Sequence, residues 1–171
     1  EFRKGKATAH PVPWVPPARF EQILPDGAGG VFVASTTGFY RFRDDRWEPV
    51  SIVLRPQQVV LTLLADGRGG VWLGTTEGLV HYAGGATRAY ALDRGVGAPV
   101  TSIIADRSGN LWVGLGRSGL ARISPEQIFS YSAADGLPES DVTALVEDQA
   151  GGIHAITRRM HTATISGERI V

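Results

Sequence analysis

Residues 66–74 read Asp-Gly-Arg-Gly-Gly-Val-Trp-Leu-Gly, and the chain repeats this phrase three more times. A second clear copy, Asp-Arg-Ser-Gly-Asn-Leu-Trp-Val-Gly, stands at residues 106–114; a copy with Phe in place of Trp begins at Asp26, and a faint one begins at Asp148. The four copies therefore start about forty residues apart. A period of this length, with turn residues and β-formers inside each unit, is typical of the blades of a β-propeller rather than of a helical solenoid. Since one blade cannot bury both of its faces, the repeat also predicts a stacked array.

Each unit holds four segments of strand length, as the second unit shows most clearly. Residues 59–65 form an almost continuous apolar run, which is typical of an inner strand covered on both faces. A glycine-rich turn at residues 66–70 leads into a second strand at residues 71–75. A third strand is predicted at residues 79–82, and residues 87–92 alternate polar and apolar side chains as a half-exposed outer strand does.

The same template fits the other units, which predicts an all-β fold of sixteen strands. We expect a β-propeller of four four-stranded blades at residues 20–52, 59–92, 100–132 and 142–171. In the fourth unit, His154 replaces the aromatic residue. Four units could close into a ring alone, pair with a second copy into an eight-bladed ring, or form an arc of a larger ring. Because an open arc exposes apolar faces and strand edges, a soluble piece is expected to close on itself or to pair.

Residues 1–19 lie outside the repeats and differ from them in composition. Residues 10–17 read His-Pro-Val-Pro-Trp-Val-Pro-Pro, and prolines at this density favour an extended segment outside any strand ladder. The chain begins with Glu1 and Phe2 rather than with methionine, which indicates a piece of a longer protein whose first two residues can derive from cloning.

The composition is that of a globular protein and excludes several function classes. Apolar residues make up 43% of the 171 residues and charged residues 20%, while 22 glycines and 10 prolines suit a turn-rich β-fold. The 17 basic and 17 acidic residues balance, so the basic surplus of a nucleic-acid-binding protein is absent. No apolar run reaches the ~18 residues of a membrane span, the start shows no signal peptide, and there is no cysteine.

The third unit and the segment after it carry a resemblance to a known family. Residues 100–122 read VTSIIADRSGNLWVGLGRSGLAR, with Asp, Gly, Trp and Gly-Leu at the positions that define the two-component regulator propeller repeat. Residues 131–145, YSAADGLPESDVTAL, resemble the connection between blades in that family, where Asp-Gly-Leu-Pro leads into the next inner strand.

The resemblance covers about residues 20–171 and implies a sensor. Propellers of this family are extracytoplasmic sensor modules that precede a transmembrane helix and an output domain such as a histidine kinase or a diguanylate cyclase. It implies that this chain is a fragment of such a ligand-sensing propeller, periplasmic or otherwise extracytoplasmic, from a membrane-anchored parent. Its partners would be a small-molecule or glycan signal and either neighbouring blades or a second copy of the chain, with no nucleic acid.

Two sets of conspicuous repeat residues are interpreted as architecture. Phe32, Trp72 and Trp112 occupy one equivalent position and are predicted to fill the core between blades, with a sugar-stacking platform as the alternative. The leading aspartates of the four units are predicted to cap their turns, because no second acidic residue follows within the turn as a calcium loop requires. We therefore assign no catalytic, cofactor-binding or metal-binding residue and expect no cofactor.

The turns between the second and third strands are the candidate ligand-binding surface. Equivalent turns of successive blades gather on one rim, and loops on a rigid scaffold commonly carry function. The candidate residues on this rim are Thr37, Thr76, Glu77, Arg117, Ser118 and Arg158.

Two other functions compete with the sensor. A propeller enzyme of the streptogramin lyase type would use a catalytic histidine, for which His154 and His161, seven residues apart across a turn, are the candidates. A protein-interaction scaffold would use the same fold without a small ligand, and fold alone does not choose among the three.

Overall fold

The fold is four antiparallel sheets of four strands, which confirms the predicted propeller blades. The computed structural model describes residues 2–3, 6–7, 9–13, 18–90, 92, 98–125 and 127–171. A short ladder of β1 (Phe2–Arg3) and β2 (Lys6–Ala7) precedes the blades. Blade 1 contains β3 (Phe20–Pro25), β4 (Val31–Ser35), β5 (Gly38–Arg43) and β6 (Arg46–Pro49); blade 2 contains β7 (Val60–Ala65), β8 (Val71–Thr75), β9 (Gly78–Ala83) and β10 (Ala86–Tyr90). Blade 3 contains β11 (Ser102–Ala105), β12 (Leu111–Gly114), β13 (Leu120–Ile123) and β14 (Ile128–Tyr131); blade 4 contains β15 (Val142–Glu147), β16 (Ile153–Thr157), β17 (Thr162–Ser166) and β18 (Arg169–Ile170).

The blades stack in chain order as an arc. The first strands β3, β7, β11 and β15 contact one another in succession, and in the described part of the chain all extensive contacts between sheets join consecutive blades. Half of the side-chain surface remains exposed at Ile23 of blade 1 and at Val146 of blade 4, each 51% accessible. Of the three arrangements left open by the sequence, the described residues do not form a ring closed by one chain; pairing with a second copy and an arc of a larger ring remain open.

Alternation along each second strand divides its side chains between two interfaces. In β8, Val71 and Leu73 pack towards blade 1, whereas Trp72 faces blade 3. β12 repeats the division, with Leu111 towards blade 2 and Trp112 towards blade 4. Because neighbouring strand residues point to opposite faces, each blade contributes to two separate apolar cores.

The last repeat position of the second strand lies where two blades approach closely. A Cβ on Gly74 would lie 2.7 Å from the carbonyl oxygen of Val100, which precedes the first strand of blade 3. The same position holds Ala34 in blade 1, which is fully buried, and Ile156 in blade 4. Ile156 lies on the face of blade 4 that none of the other described blades covers.

The connection between blades 3 and 4 explains the Asp-Gly-Leu part of the motif. A single 3-10 turn, Ala133–Asp135, is closed by a capping box in which the Asp135 carboxylate accepts the N–H of Ser132 at 2.8 Å. Gly136 ends the turn at a φ of 106°, a conformation that favours glycine. Leu137, only 3% exposed, then enters the core between the blades.

Some predicted strand ends differ from the observed ones. The outer strand of blade 1 ends at Pro49 rather than at Ile52. Val50 still donates its N–H to the carbonyl of Phe39 at 2.9 Å, and Ile52 and Leu54 beyond it pack on the core between blades 1 and 2. Parts of the predicted elements lie outside the described residues: residues 1, 4, 5, 8 and 14–17 of the predicted extended segment, residues 91 and 93–97 of the connection between blades 2 and 3, and residue 126.

Candidate functional site

The four candidate turns lie at one end of their blades, each between the second and third strands. In blades 1, 2 and 4 a buried hydroxyl residue closes the turn: Ser35, Thr75 or Thr157. Thr75 Oγ1 donates to the carbonyl of Gly78 at 2.8 Å and accepts the N–H of Glu77 at 3.1 Å. The hydroxyl satisfies backbone groups that the tight turn leaves unpaired, so the rim is a rigid frame.

Several of the predicted rim residues are engaged within the chain. Thr76 Oγ1 accepts the N–H of Val59 at 3.1 Å, which fixes the connection entering blade 2. Glu77 pairs with Arg55 at 3.4 Å across the surface. These two side chains contribute to the rim mainly by holding the loop between blades 1 and 2 in place.

Arg158 is neutralised by a neighbouring acid that sequence reasoning did not pair with it. Its Nε donates to Asp141 Oδ2 at 2.6 Å, and its backbone N–H donates to the carbonyl of the same residue at 2.8 Å. The hydrogen bond to Asp141 raises the pKa of Arg158 above its ordinary value. Glu139 lies 3.8 Å from Arg159 and 4.0 Å from His161, so this end of the rim carries balanced charge. In the sequence, the Glu-Ser-Asp run at residues 139–141, in the connection before blade 4, was the signal that could have indicated this pairing.

Arg117, Ser118 and Thr37 are the rim residues that remain accessible to varying degrees. Arg117 and Thr37 are exposed, and Ser118 is half-buried. Thr37 borders a groove of about 460 Å³ between its own turn and the connection from blade 1 to blade 2. This groove also reaches Gln58, whose side-chain amide donates to Thr75 Oγ1 at 2.7 Å. The rim thus offers a groove of mixed polar and apolar lining beside blade 1 and an exposed cation on blade 3.

The repeat aspartates cap their turns at the opposite end of the blades. Asp26 Oδ1 accepts the N–H groups of Ala28 and Gly30 at 2.8 Å each, and the other three aspartates repeat this pattern. The second oxygen binds a different donor in each blade: Arg41 and Arg43 for Asp26, His81 for Asp66, Trp112 for Asp106 and His154 for Asp148. Burial opposes ionisation of Asp26, but the backbone and arginine hydrogen bonds outweigh it and hold its pKa well below the ordinary value.

The two candidate histidines are not brought together. His154 pairs in register with Thr164, three residues beyond His161, so the two rings lie towards opposite ends of the β16–β17 hairpin. His154 Nε2 lies 2.8 Å from Asp148 Oδ2, and its Nδ1 lies 3.0 Å from Thr164 Oγ1. Within the described residues, no group of three or more acidic or histidine side chains is arranged to hold a metal ion.

Equivalent aromatic residues have different surroundings. Phe32 and Trp112 are 4% and 3% exposed in the cores between blades. Trp72 is only partly buried and contributes to a cleft of about 650 Å³ between blades 2 and 3. Trp72 therefore differs in exposure from Phe32 and Trp112, although all three residues occupy the same position in the repeat.

Comparison with known proteins agrees with this architecture. Residues 95–117 match the sequence model of the family described as two component regulator propeller. No curated protein sequence matches the chain significantly.

Solved structures with the same fold include extracellular domains of one- and two-component systems and streptogramin-type lyases. The extracellular domain described as that of a hybrid two component system from B. thetaiotaomicron is 19% identical, with a TM-score of 0.76, over 89% of this chain and 22% of that one. A second extracellular domain from that organism, described as belonging to a one component system, is 18% identical with a TM-score of 0.73, over 86% and 21%. A virginiamycin B lyase from Staphylococcus aureus, determined as an inactive variant with quinupristin, is 15% identical with a TM-score of 0.67, over 88% and 56%.

The chain spans about a fifth of the sensor domains and about half of the lyase. At these identities the likeness establishes the propeller fold. None of the described residues forms a helix with the length and apolarity that a bilayer-spanning segment requires.

Proposed function

We propose that this chain is part of the extracytoplasmic, ligand-sensing propeller of a bacterial two-component-type receptor and is not itself catalytic. The observation that carries the proposal is the regulator propeller repeat at residues 95–117, set in an arc of four blades. The similar fold of two extracellular sensor domains supports it. The signal would be a small molecule or a glycan, the sensor would lie in the periplasm or outside the cell, and the parent would be anchored in the membrane.

The rim is the proposed contact surface for the signal. The groove beside Thr37, whose lining includes serine, threonine and glutamine side chains, and the exposed guanidinium of Arg117 offer hydrogen-bond donors and acceptors. A ligand that binds one relative placement of blades or subunits more tightly than another shifts the population towards that placement. An output domain connected to the propeller would respond to that shift.

The reading frame on both sides of residues 1–171 tests the receptor part of the proposal. We expect further units of about forty residues, an apolar segment of about 20 residues, and a kinase or cyclase domain. A frame that encodes a secretion signal and ends without a membrane segment or an output domain would overturn the receptor assignment.

Variants of the rim test the ligand-binding part. Thermal-shift screening of the chain against a panel of soluble oligosaccharides and sugar acids identifies a binder, and Arg117→Ala is expected to weaken it about tenfold by removing a charged hydrogen bond. Arg158→Ala should weaken it less, because Asp141 already engages that guanidinium. Arg46→Ala, an exposed arginine at the opposite end of blade 1, is the matched control. Unchanged affinity in both rim variants would remove the rim from the proposal.

The lyase alternative has one observation in its favour, the Asp148–His154–Thr164 hydrogen-bond chain on blade 4. A carboxylate that orients a histidine is a common arrangement for a general base. Turnover of a streptogramin B antibiotic that disappears in His154→Ala would support a lyase and contradict the non-catalytic assignment.

A further inference from the structure

The cleft between blades 2 and 3 has a lining that the two neighbouring interfaces lack. Its volume is about 650 Å³, within the range of small-molecule sites. It lies where the turn-capping aspartates are, at the end of the blades opposite the rim, and Trp72 forms part of its wall. The corresponding aromatic residue at the next interface, Trp112, is 3% exposed.

The residue opposite the aromatic position differs between the two interfaces of blade 3. Between blades 3 and 4, Arg122 pairs in register with Trp112 and extends over Phe129, with its guanidinium carbon 4.3 Å from that ring centroid. The same guanidinium donates to Glu168 of blade 4 at 3.2 Å, so it bridges the interface. In blade 2 the equivalent residue is the shorter His81. It stacks on Trp72 with ring centroids 4.2 Å apart and is tied back to Asp66 of its own blade at 2.8 Å.

The open cleft combines aromatic surface with positive charge. The rings of Trp72 and Tyr90 lie 5.1 Å apart and are tilted by 58°, and the guanidinium carbon of Arg88 lies 4.9 Å from the Tyr90 centroid. The facing wall on blade 3 is apolar, with Leu111 and Ile123.

Charge distinguishes this cleft from its counterpart between blades 1 and 2. Arg88 and Arg68 are both exposed at its lining, and the carboxylate of Asp66 is already engaged by two backbone N–H groups and His81. The counterpart, of about 470 Å³, has Glu48 at the strand position that Arg88 occupies in blade 2. The counterpart also has aromatic residues and Arg41 in its lining, but Arg41 is paired with Asp26 at 2.7 Å and Glu48 adds a negative charge, so the cleft between blades 2 and 3 is the more cationic of the two.

We propose that this cleft binds a small aromatic carboxylate, whose ring packs between Trp72, Tyr90 and the apolar wall of blade 3 while its carboxylate pairs with Arg88. A planar acid satisfies both halves of the lining, because its ring fills the apolar space and guanidinium groups bind carboxylates with charge-assisted hydrogen bonds. A neutral sugar would leave Arg88 unpaired. The site is independent of the sensor assignment, since binding is measured on the chain itself and at the end opposite the rim.

Calorimetric titration of the 171-residue chain with phenylacetate, and with its neutral analogue phenylacetamide, tests the proposal. Phenylacetate should bind at least about tenfold more tightly than the amide. Arg88→Gln should weaken phenylacetate about tenfold and abolish the preference for the acid. Arg169→Gln, an exposed arginine on β18 of blade 4, should change neither affinity.

Nuclear magnetic resonance locates the bound acid. The variants Trp72→Phe and Trp112→Phe assign the indole N–H signals, because each variant lacks one of them. Phenylacetate should shift the signal of Trp72 and leave the signal of Trp112 unchanged. Any one of four results would overturn the proposal. These are equal affinities for phenylacetate and phenylacetamide, an Arg88→Gln variant that binds phenylacetate like the parent, a shifted signal for Trp112 instead of Trp72, and no saturable binding up to about 10 mM.

Discussion

Replacement of Gly74 by alanine measures how closely blades 2 and 3 are packed. The added Cβ would lie 2.5 Å from Thr62 Cγ2, 2.7 Å from Val100 Cγ1 and 2.7 Å from the Val100 carbonyl oxygen. The last of these is backbone and cannot rotate away. The Val100 N–H donates to the carbonyl of Thr75 at 2.9 Å, so relief requires the two blades to separate.

The expected cost follows from two opposing effects. Forcing a methyl group into a packed core costs about 1–3 kcal/mol. Alanine recovers about 0.4–1 kcal/mol because it restricts the unfolded chain more than glycine does. With a backbone atom at the contact, we expect a net loss of about 2 kcal/mol in the free energy of unfolding. For a chain of this size that corresponds to a fall of about 4–8 °C in Tm.

Gly114, the equivalent residue in blade 3, is the matched control. Its Cβ would lie 2.4 Å or more from its neighbours, the nearest being Ser102 Oγ, followed by Val142 Cγ1 at 3.1 Å and Thr101 Oγ1 at 3.4 Å. All three are side-chain atoms, and Ser102 Oγ is buried without a hydrogen-bond partner. Gly114→Ala should therefore cost less than Gly74→Ala, and adding Ser102→Ala should bring stability back to within about 0.5 kcal/mol of the parent.

Urea unfolding monitored by tryptophan fluorescence, with thermal denaturation alongside, measures all four proteins. Equal losses for Gly74→Ala and Gly114→Ala would contradict the assigned role of the Val100 carbonyl. A stability gain in Gly74→Ala would show that the blades are not in contact at this position.

Two further predictions concern the interface between blades 1 and 2 and the turn aspartates. The side-chain amide of Gln22 accepts the N–H of Leu63 at 2.6 Å and donates to the carbonyl of Leu63 at 3.2 Å. Gln22→Met should therefore lower the free energy of unfolding, measured in urea, by about 1–3 kcal/mol. An unchanged urea midpoint would refute this prediction. The pKa of Asp26 is lower in the folded chain than in the unfolded one, so its contribution to stability is present above about pH 4 and is lost as the pH falls towards the folded-state pKa. The urea concentration at the unfolding midpoint should therefore decrease from pH 7 to pH 3, and it should decrease less in Asp26→Asn than in the parent. An equally large decrease in Asp26→Asn would contradict the stabilising role assigned to the Asp26 carboxylate.

Short-range patterns made the blades predictable. Turn chemistry at Asp66 and the alternation from Val71 to Thr75 depend on residues within a few positions of one another, so they are visible in the sequence. The same holds for capping by the aspartates, whose partners at two and four positions along are backbone groups present in any sequence. The blade expected at residues 20–52 has an outer strand that ends at Pro49, because apolar residues beyond a strand and apolar residues inside it look alike in sequence.

The candidate rim was only partly accessible to sequence reasoning. The repeat placed Arg117 and Arg158 on equivalent turns, but the partner of Arg158 is Asp141, seventeen positions away on the entering connection. The charge balance at that end of the rim therefore depends on how one connection lies against the next hairpin, which no local pattern encodes.

The sequence by itself determined that the chain forms four four-stranded blades, because strand period and turn type are encoded within each unit. Only the tertiary structure decided that the blades form an open arc, that Gly74 meets the Val100 backbone, and that Trp72 borders a cleft while Trp112 is buried. These features arise between residues of neighbouring blades, which are far apart in the sequence. At the aromatic position, for example, His81 lies opposite Trp72, which stays partly exposed, whereas Arg122 lies opposite Trp112 and donates to Glu168 of the next blade.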